Sequence, residues 1–330
     1  MKATSFNTGW TCRHLGSSAP GTPVTLPHDA MLAEERSQTS AGGTNTGWFA
    51  GYDYLYEKHF TPDAAQAAQC AVLEFEGVYH NAEVHLNGEK IASCPYGYSD
   101  FYADLTGKLL PGRDNVLEVI AHNVDQPNSR WYSGAGIYRP VTLWTAPARH
   151  ILPDGVQVRT LSIDPAEVEV TVQTTASGAV AVAILDGEQT VATAQAESNG
   201  KAVLRVQIPN AKLWSPDSPA LYRCRAMFGD DCAETTFGVR TLSWGDDGFL
   251  LNGKRVILLG ACVHHDHGVL GACCYPEAEE RKVRLLQKVG YNAVRCAHNP
   301  CSKAFLDACD RLGMLVMDEY ADMWYIHKTQ

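Results

Sequence analysis

Polar side chains with chemical potential collect at three points in the last third of the chain. Each group directly follows a short apolar run, and the groups are His264 to His267, then Arg295 with His298 and Asn299, then Asp318 with Glu319. Packing alone does not explain histidine, arginine and carboxylate at three successive strand ends. Chemistry in parallel α/β folds collects at the carboxyl ends of strands. We therefore expect these side chains to form one site.

Two chemistries fit this set of residues. Imidazoles at His264 and His298 can hydrogen-bond sugar hydroxyls, and carboxylates can stabilise the oxocarbenium-like transition state of glycoside cleavage. The indole faces of Trp131 and Trp324 suit the apolar side of a pyranose ring. In the alternative, a metal-dependent hydrolase, His265 and His267 hold a divalent ion, because alternate residues of an extended run share a face.

The elements that must position these groups alternate between strands and helices. The Asn252-Gly253 pair predicts a hairpin whose second strand continues to Val263. A helix then opens at Pro276, and a second helix is capped by Ser302. The runs YNAVRCA and MLVMDEY supply two further strands. The predicted apolar faces are Val283, Leu285, Leu286 and Val289 on the first helix, and Phe305, Leu306, Cys309 and Leu312 on the second. Spacing of this kind predicts parallel strands with right-handed crossovers.

The rest of the chain is rich in strand patterns. Residues 1–150 contain short alternating runs, among them YLYEKHF and NVLEVIAHN, and an Asn87-Gly88 hairpin signal. Residues 151–243 alternate more regularly, with EVEVTVQTT and AVAVAILD as two separate predicted strands. The first region predicts a β-sandwich and the second an immunoglobulin-like sandwich. Residues 244–330 then form the α/β unit.

Composition limits the partners and the compartment. The 330 residues carry a net charge of −10 without a basic block, which argues against nucleic acid and anionic membrane as partners. A membrane-spanning helix needs about 20 apolar residues, more than any run here. Eleven cysteines without a CxxC pair or a visible signal sequence predict free thiols and a cytoplasmic location.

Several strings resemble glycoside hydrolase family 2, which includes β-galactosidases, β-glucuronidases and β-mannosidases. The strings are VTLPHDAM from residue 24, RWYSGAGIYR from Arg130, and NAVRCAHNP from residue 292. The resemblance covers essentially the whole chain and is strongest to the β-galactosidases. It implies a sugar-binding jelly-roll sandwich (1–150), an immunoglobulin-like sandwich (151–243) and the first part of a (β/α)8 TIM barrel (244–330), truncated after its third strand.

The resemblance also implies roles for residues. His264 and His298 match family histidines that contact the sugar, and Arg295 matches the arginine that organises the site. Asp318 and Glu319 match the acidic pair that closes strand three. Arg130 and Trp131 fall in the sandwich loop that reaches the barrel mouth in relatives. The predicted substrate-binding set is therefore His264, His298, Asn299, Arg295, Asp318, Glu319, Trp324, Arg130 and Trp131.

The resemblance predicts a retaining exo-glycosidase acting on β-linked glycosides, with both catalytic glutamates in segments beyond Gln330. We therefore expect this chain to be an inactive N-terminal portion of such an enzyme, whose full-length form is compatible with a homo-oligomer. The segment ADMWYIHK does not reproduce the magnesium motif of relatives, so no metal or other cofactor is predicted. Besides the metal-dependent hydrolase, a non-catalytic carbohydrate-binding protein is the alternative.

Overall fold

The structure of the chain is a computed structural model that describes residues 1–321. The predicted site residue Trp324 lies outside the described residues. Within the described part, no helix is both long enough and apolar enough to cross a membrane. The chain forms two β-sandwiches, followed by a three-stranded parallel sheet with two helices on one face.

Ten strands build the first sandwich. They are β1 (Lys2–Ser5), β2 (Trp10–His14), β3 (Thr22–Val24), β4 (Tyr54–Phe60), β5 (Cys70–Phe75), β6 (Ala82–Leu86), β7 (Glu89–Cys94), β8 (Phe101–Asp104), β9 (Asn115–Ala121) and β10 (Val141–Ala146). One sheet has the order β1-β10-β5-β8 and the other β3-β2-β4-β9-β6-β7, with every pair antiparallel. Short helical segments span Ala30–Ala33, Gly43–Thr46 and Ala64–Ala67 (α1).

Alternation of apolar and polar residues explains this sandwich. Inward-facing residues such as Val84, Leu117 and Val119 are fully buried and join one core between the two sheets. The predicted hairpin at Asn87-Gly88 is present between β6 and β7. Both residues have positive φ, 52° and 82°, as a two-residue type I′ turn requires.

The second sandwich uses long strands that contribute to both of its layers. Its strands are β11 (Ile151–Ile163), β12 (Ala166–Asp186), β13 (Gln189–Gln207), β14 (Trp214–Ser215), β15 (Ser218–Pro219), β16 (Tyr222–Phe228) and β17 (Asp231–Phe237). The first half of β12 pairs with β11, and its second half pairs with β16. Both halves bury valines in the same core, for example Val170 and Val182.

Two sequence predictions about strands were wrong in detail. The runs EVEVTVQTT and AVAVAILD form the single strand β12, because the pairing with β13 continues past an irregularity between Gln173 and Ser177. The strand predicted to continue to Val263 is instead interrupted after Arg255. There the Asn292 side chain donates to the Ile257 carbonyl and accepts from the Leu259 amide, so it replaces a strand partner.

The last region consists of a small antiparallel sheet followed by strand–helix–strand–helix–strand. Its elements are β18 (Leu242–Gly245), β19 (Gly248–Leu251), β20 (Lys254–Arg255), β21 (Gly260–Val263), a short helical turn (Gly268–Leu270), α2 (Pro276–Lys288), β22 (Ala293–Cys296), α3 (Lys303–Leu312) and β23 (Leu315–Asp318). Strands β21, β22 and β23 are parallel neighbours, as predicted. The Ser302 side chain accepts from the Phe305 amide and caps α3.

The two helices pack on the sheet through a narrower face than predicted. Val283, Phe305 and Cys309 are buried between helices and sheet. The sequence pattern predicts Leu285 and Val289 on the apolar face of α2, but these residues are 45% and 69% exposed. Only one stripe of a helix this short can face a three-stranded sheet, so these two residues point away from it.

Candidate functional site

The carboxyl ends of the three parallel strands meet at one edge of the sheet. In the register of the sheet, Val263 pairs with Cys296 and Cys296 pairs with Asp318. The residues that follow each strand therefore emerge side by side. His264, His298 and Glu319 lie at this edge, as the sequence predicts.

Trp131, from the first sandwich, packs over this edge. Its ring stacks on His264 with the centroids 5.5 Å apart and the planes at 15°, and it lies 5.3 Å from the His298 ring. The two imidazoles are 6.0 Å apart. The indole Nε1–H donates to the Tyr98 hydroxyl at 3.0 Å, which fixes the ring orientation. Three predicted site residues from two parts of the chain thus form one cluster.

Glu319 connects Arg295 to this cluster. Its Oε1 accepts from Arg295 Nε at 2.7 Å, and its Oε2 lies 3.0 Å from His298 Nδ1. Partial burial raises the pKa of Glu319, but the bonds from Arg295 and His298 outweigh it, so this pKa lies below its usual value. A carboxylate only accepts hydrogen bonds, so Nδ1 of His298 carries the proton. In the neutral ring, Nε2 is then left as an acceptor.

A pocket of about 400 Å³ opens beside this cluster. Its walls are mostly aromatic and hydroxyl-bearing, and its lining residues are Tyr79, His80, Pro95, Tyr96, Gly97, Tyr98, Asn128, Ser129, Arg130, Trp131, His298 and Ala321. Aromatic faces pack against the C–H face of a sugar, while imidazole and hydroxyl groups bond its hydroxyls. The pocket therefore has the chemistry of a carbohydrate site.

The loop that carries Trp131 is held by hydrogen bonds within the first sandwich. The Asn128 amide donates to Asn123 Oδ1 at 2.8 Å and lies 2.9 Å from His80 Nε2. The Tyr79 hydroxyl donates to the Asn128 side-chain oxygen at 3.1 Å. Arg130 lines the pocket, with its guanidinium carbon 5.5 Å from the centre of the Trp131 ring. Arg130 and Trp131 thus reach the barrel mouth, as the resemblance implies.

Two predicted residues lie elsewhere. Asp318 accepts from the Cys301 amide at 3.1 Å and is one strand position away from Glu319, on the opposite face of the sheet. Asn299 is buried within the loop that carries His298 and borders a cavity of about 20 Å³, room for a single water. Its Nδ2 has no protein partner among the described residues. The structure does not bring either residue into the open pocket, and His264, Arg295 and Glu319 lie beside this pocket without lining it.

The metal-ligand hypothesis for His265 and His267 gains no support. The His265 ring faces the Ser133 carbonyl at 3.1 Å, and burial lowers the pKa of His265 to about 3. His267 Nε2 lies 3.4 Å from Glu279 Oε2, an ion-pair contact that is not a hydrogen bond. Across residues 1–321, neither histidine belongs to a group of three metal-ligand side chains.

Sequence reasoning missed two residues that join the first sandwich to loops of the barrel region. The buried Asp29 carboxylate accepts from the Ala135 and Ala272 amides and from the Tyr132 hydroxyl. The buried Arg139 donates to the Tyr98 and Pro300 carbonyls at 2.9 and 2.7 Å.

The sequence contained a signal for both of these residues. Asp29 lies in VTLPHDAM and Arg139 ends RWYSGAGIYR, the strings that carried the family resemblance. Each string contains the charged residue, but nothing in the string identifies the group to which that residue bonds.

The fold is multidomain, and a loop of the first sandwich places a tryptophan beside a pocket with the chemistry of a carbohydrate site, over a three-stranded parallel sheet. Family models match in the same order along the chain. Residues 10–140 match the glycosyl hydrolase 2 galactose-binding domain-like family, 154–240 match glycosyl hydrolases family 2, and 243–325 match the family 2 TIM barrel domain. The chain belongs to glycoside hydrolase family 2, which confirms the predicted family and its three-part fold.

Relatives agree with this assignment. A protein named beta-galactosidase from Bacteroides ovatus is 37% identical over 98% of this chain, and a putative beta-glucuronidase from Formosa agariphila is 32% identical over 92%. The solved structure of a family 2 member from Bacteroides cellulosilyticus matches all of this chain with a TM-score of 0.91 at 34% identity. The chain spans 42%, 30% and 47% of these three proteins, respectively.

Proposed function

We propose that this chain supplies the sugar-binding part of a retaining β-glycosidase, similar to β-galactosidases, that hydrolyses terminal β-linked glycosides. The observation that carries the proposal is the contact of Trp131 with both His264 and His298. It joins a sandwich loop to two barrel-strand ends, beside a pocket that Trp131 and His298 line. The Bacteroides ovatus relative, named beta-galactosidase, supports the galactoside among the sugars that the family accepts.

In this proposal each residue has a separate task. His298 and Trp131 line the pocket, so the His298 imidazole bonds ring hydroxyls and the Trp131 ring limits the pocket on its apolar side. His264 stacks on the Trp131 ring and holds it in this position. Glu319 acts as a positioning residue, because it fixes the tautomer and orientation of His298. Hydrogen bonds that strengthen as the oxocarbenium-like charge develops lower the barrier more than they tighten substrate binding.

We further propose that the two catalytic carboxylates are not among the residues of this chain. A retaining mechanism needs a nucleophile and an acid/base about 5–5.5 Å apart. Both oxygens of Glu319 are already bonded to Arg295 and His298, which supports a positioning role instead. Residues 1–330 alone are then expected to bind sugar but not to hydrolyse it.

The test measures steady-state kinetics of the complete gene product on aryl β-galactoside, β-glucuronide and β-mannoside. A lost hydrogen bond is worth about 0.5–1.5 kcal/mol, and more when a buried polar group is left unpaired. We expect His298→Ala and Trp131→Ala each to lower kcat/KM at least about tenfold, with kcat also reduced. His59→Ala, at an exposed histidine of the first sandwich, is the matched control.

Three outcomes contradict parts of the proposal. Wild-type kinetics in His298→Ala and Trp131→Ala would remove the sugar site from this pocket. Sugar binding without turnover by the complete gene product would identify a non-catalytic carbohydrate-binding protein instead. Turnover by residues 1–330 alone, abolished in Glu319→Gln, would place the catalytic chemistry on Glu319.

A cytoplasmic location is also proposed. All eleven cysteines are free thiols, and most are buried or half-buried. Buried thiols persist in a reducing compartment and need no pairing. Finding the protein in the cytoplasmic fraction after cell fractionation would support this location, and finding it among exported proteins would refute it.

A further inference from the structure

Two cysteines enclose the loop that carries His298, and a carboxylate lies beside them. Cys296 is the last residue of β22, Asp318 is the last residue of β23, and the two are register partners. Cys301 directly precedes the Ser302 cap of α3, and its amide donates to Asp318 Oδ1. The two sulfur atoms and a carboxylate oxygen all lie within 4.8 Å of one another.

We propose that Cys296, Cys301 and Asp318 form a binding site for a thiophilic divalent cation such as Zn²⁺. Two thiolates and one carboxylate are a ligand set that suits this ion. The site is separate from the sugar pocket, because Cys296 belongs to the apolar cluster between sheet and helices. Neither thiol nor Asp318 lines the pocket beside Trp131.

The geometry requires little rearrangement. Zinc binds sulfur at about 2.3 Å and carboxylate oxygen at about 2.0–2.2 Å, so tetrahedral ligand atoms are roughly 3.3–3.8 Å apart. Atoms now within 4.8 Å need to approach by only about 1 Å. The Cys301 and Asp318 side chains can make this movement, because Cys301 is half-buried and Asp318 is exposed.

The three protein ligands leave one position of a four-coordinate zinc ion for water, on the side that is open to solvent. Cys296 is 3% exposed and anchors the site from the core, while Asp318 faces solvent. A zinc ion held by three protein ligands takes a water as its fourth. Binding releases the two thiol protons to solvent, and the two thiolates balance the charge of the ion before the carboxylate adds its own.

A second group of three metal-ligand side chains in the described residues is less suited to a cation. It consists of Glu74, Asp100 and Asp154, without a thiol. Lys303 already bonds Glu74 and lies 2.9 Å from Asp154, so an ammonium group occupies the position that an ion would take. The thiol-containing group has no such cation among its described contacts.

An ion at this site would join both ends of the loop formed by residues 297–300. His298 and Asn299 lie within this loop, so the cation would restrict the segment that places His298 beside Trp131. The ion itself would not touch the sugar. Binding of the cation is measured without substrate, so its failure would leave the proposed glycosidase function intact.

The test titrates the reduced chain with Co²⁺, whose thiolate charge-transfer absorption reports sulfur ligands, and then displaces it with Zn²⁺. We expect one ion per chain in the wild type. The thiolate band should disappear in Cys301→Ala, and Asp318→Asn should weaken binding at least about tenfold. Cys309→Ala, which removes a buried thiol of α3 outside the group, should leave both unchanged.

A second readout guards against misfolding. Zn²⁺ should raise the unfolding temperature of the wild type and of Cys309→Ala, but not that of Cys301→Ala, with matching circular dichroism spectra. The proposal is overturned if the wild type binds no cobalt, or if Cys301→Ala keeps the thiolate band. A disulfide between Cys296 and Cys301 in protein purified under reducing conditions would also overturn it.

Discussion

Replacing Asp29 with asparagine should loosen the contact between the first sandwich and the barrel strands. Asp29 is 2% exposed, and all of its acceptor positions face donors. Oδ1 accepts from the Met31 and Ala135 amides at 3.2 and 3.0 Å. Oδ2 accepts from the Tyr132 hydroxyl and the Ala272 amide at 2.7 and 2.9 Å. An asparagine puts an NH2 group, a donor, in place of one oxygen.

The magnitude follows from which donors lose a partner. The Tyr132 hydroxyl can rotate and accept from the new NH2 group, whereas a backbone amide cannot. The least costly arrangement therefore places the NH2 group at Oδ2 and leaves the Ala272 amide without an acceptor. An unsatisfied buried donor costs about 1–3 kcal/mol, and bonds to a charged acceptor are worth about 1.5–3 kcal/mol. Burial raises the pKa of Asp29, so removing the charge recovers part of this cost. The net loss is about 2–3 kcal/mol.

Hydrogen exchange of single amides tests this reasoning. A loss of about 2–3 kcal/mol makes the Ala272 amide exchange roughly 30- to 150-fold faster, while amides in the second sandwich keep their protection. Asp104→Asn is the control, because within residues 1–321 this exposed carboxylate accepts only from the Thr106 amide at 2.9 Å, and an amide oxygen can replace it. Unchanged protection of Ala272 in Asp29→Asn, or an equal loss at every amide, would refute the argument.

Three further predictions concern charge, exposed apolar surface and the positioning of His298. Burial and the neighbouring Glu74 raise the pKa of Glu76 to about 7, against lowering by Lys303 and Arg139, so the native state favours its protonated form. The stabilisation from this protonated group is complete below about pH 4.5 and is lost as the pH rises to about 7. In urea unfolding, the free energy of unfolding at pH 5 should exceed that at pH 8 by at most about 3 kcal/mol on account of Glu76, and Glu76→Gln should remove this contribution. Met317 and Ile257 are 60% and 69% exposed, so the isolated chain should self-associate, and Met317→Lys should shift sedimentation toward monomer whereas Val269→Lys, at another exposed residue, should not. Glu319→Gln should lower kcat/KM of the complete gene product about tenfold but have little added effect in a His298→Ala background, and fully additive losses would contradict a role through His298.

Local sequence rules predicted the barrel edge because parallel topology follows from connection lengths. A strand–helix–strand spacing forces successive strands to run in the same direction, so His264, His298 and Glu319 had to leave the sheet at one edge. The same rules could not tell which of Asp318 and Glu319 faces the site. Consecutive residues of a strand face opposite sides, and which side faced the pocket depended on a partner, Arg295, that was itself unplaced.

Contacts between the sandwich and the barrel lay beyond those rules. Trp131 and His264 are 133 positions apart, and no periodicity or capping signal connects them. Only the family resemblance placed the Trp131 loop at the barrel mouth. The merging of two predicted strands into β12 has a related cause, because continuous pairing with β13 decides whether a polar stretch ends a strand. Distant pairing partners are not encoded in a local pattern.

The first sandwich is part of the candidate site because one of its loops is fixed to the barrel strands on both sides of Trp131. Tyr132, next in the chain, bonds Asp29, and Asp29 also bonds the Ala272 amide of the barrel region. Arg139, eight positions after Trp131, bonds the Pro300 carbonyl in the loop that carries His298. A side chain held between two such bonds stays within the fraction of an ångström that recognition requires. Removing the sandwich would therefore remove not only Trp131 but also the groups that hold His298 in place.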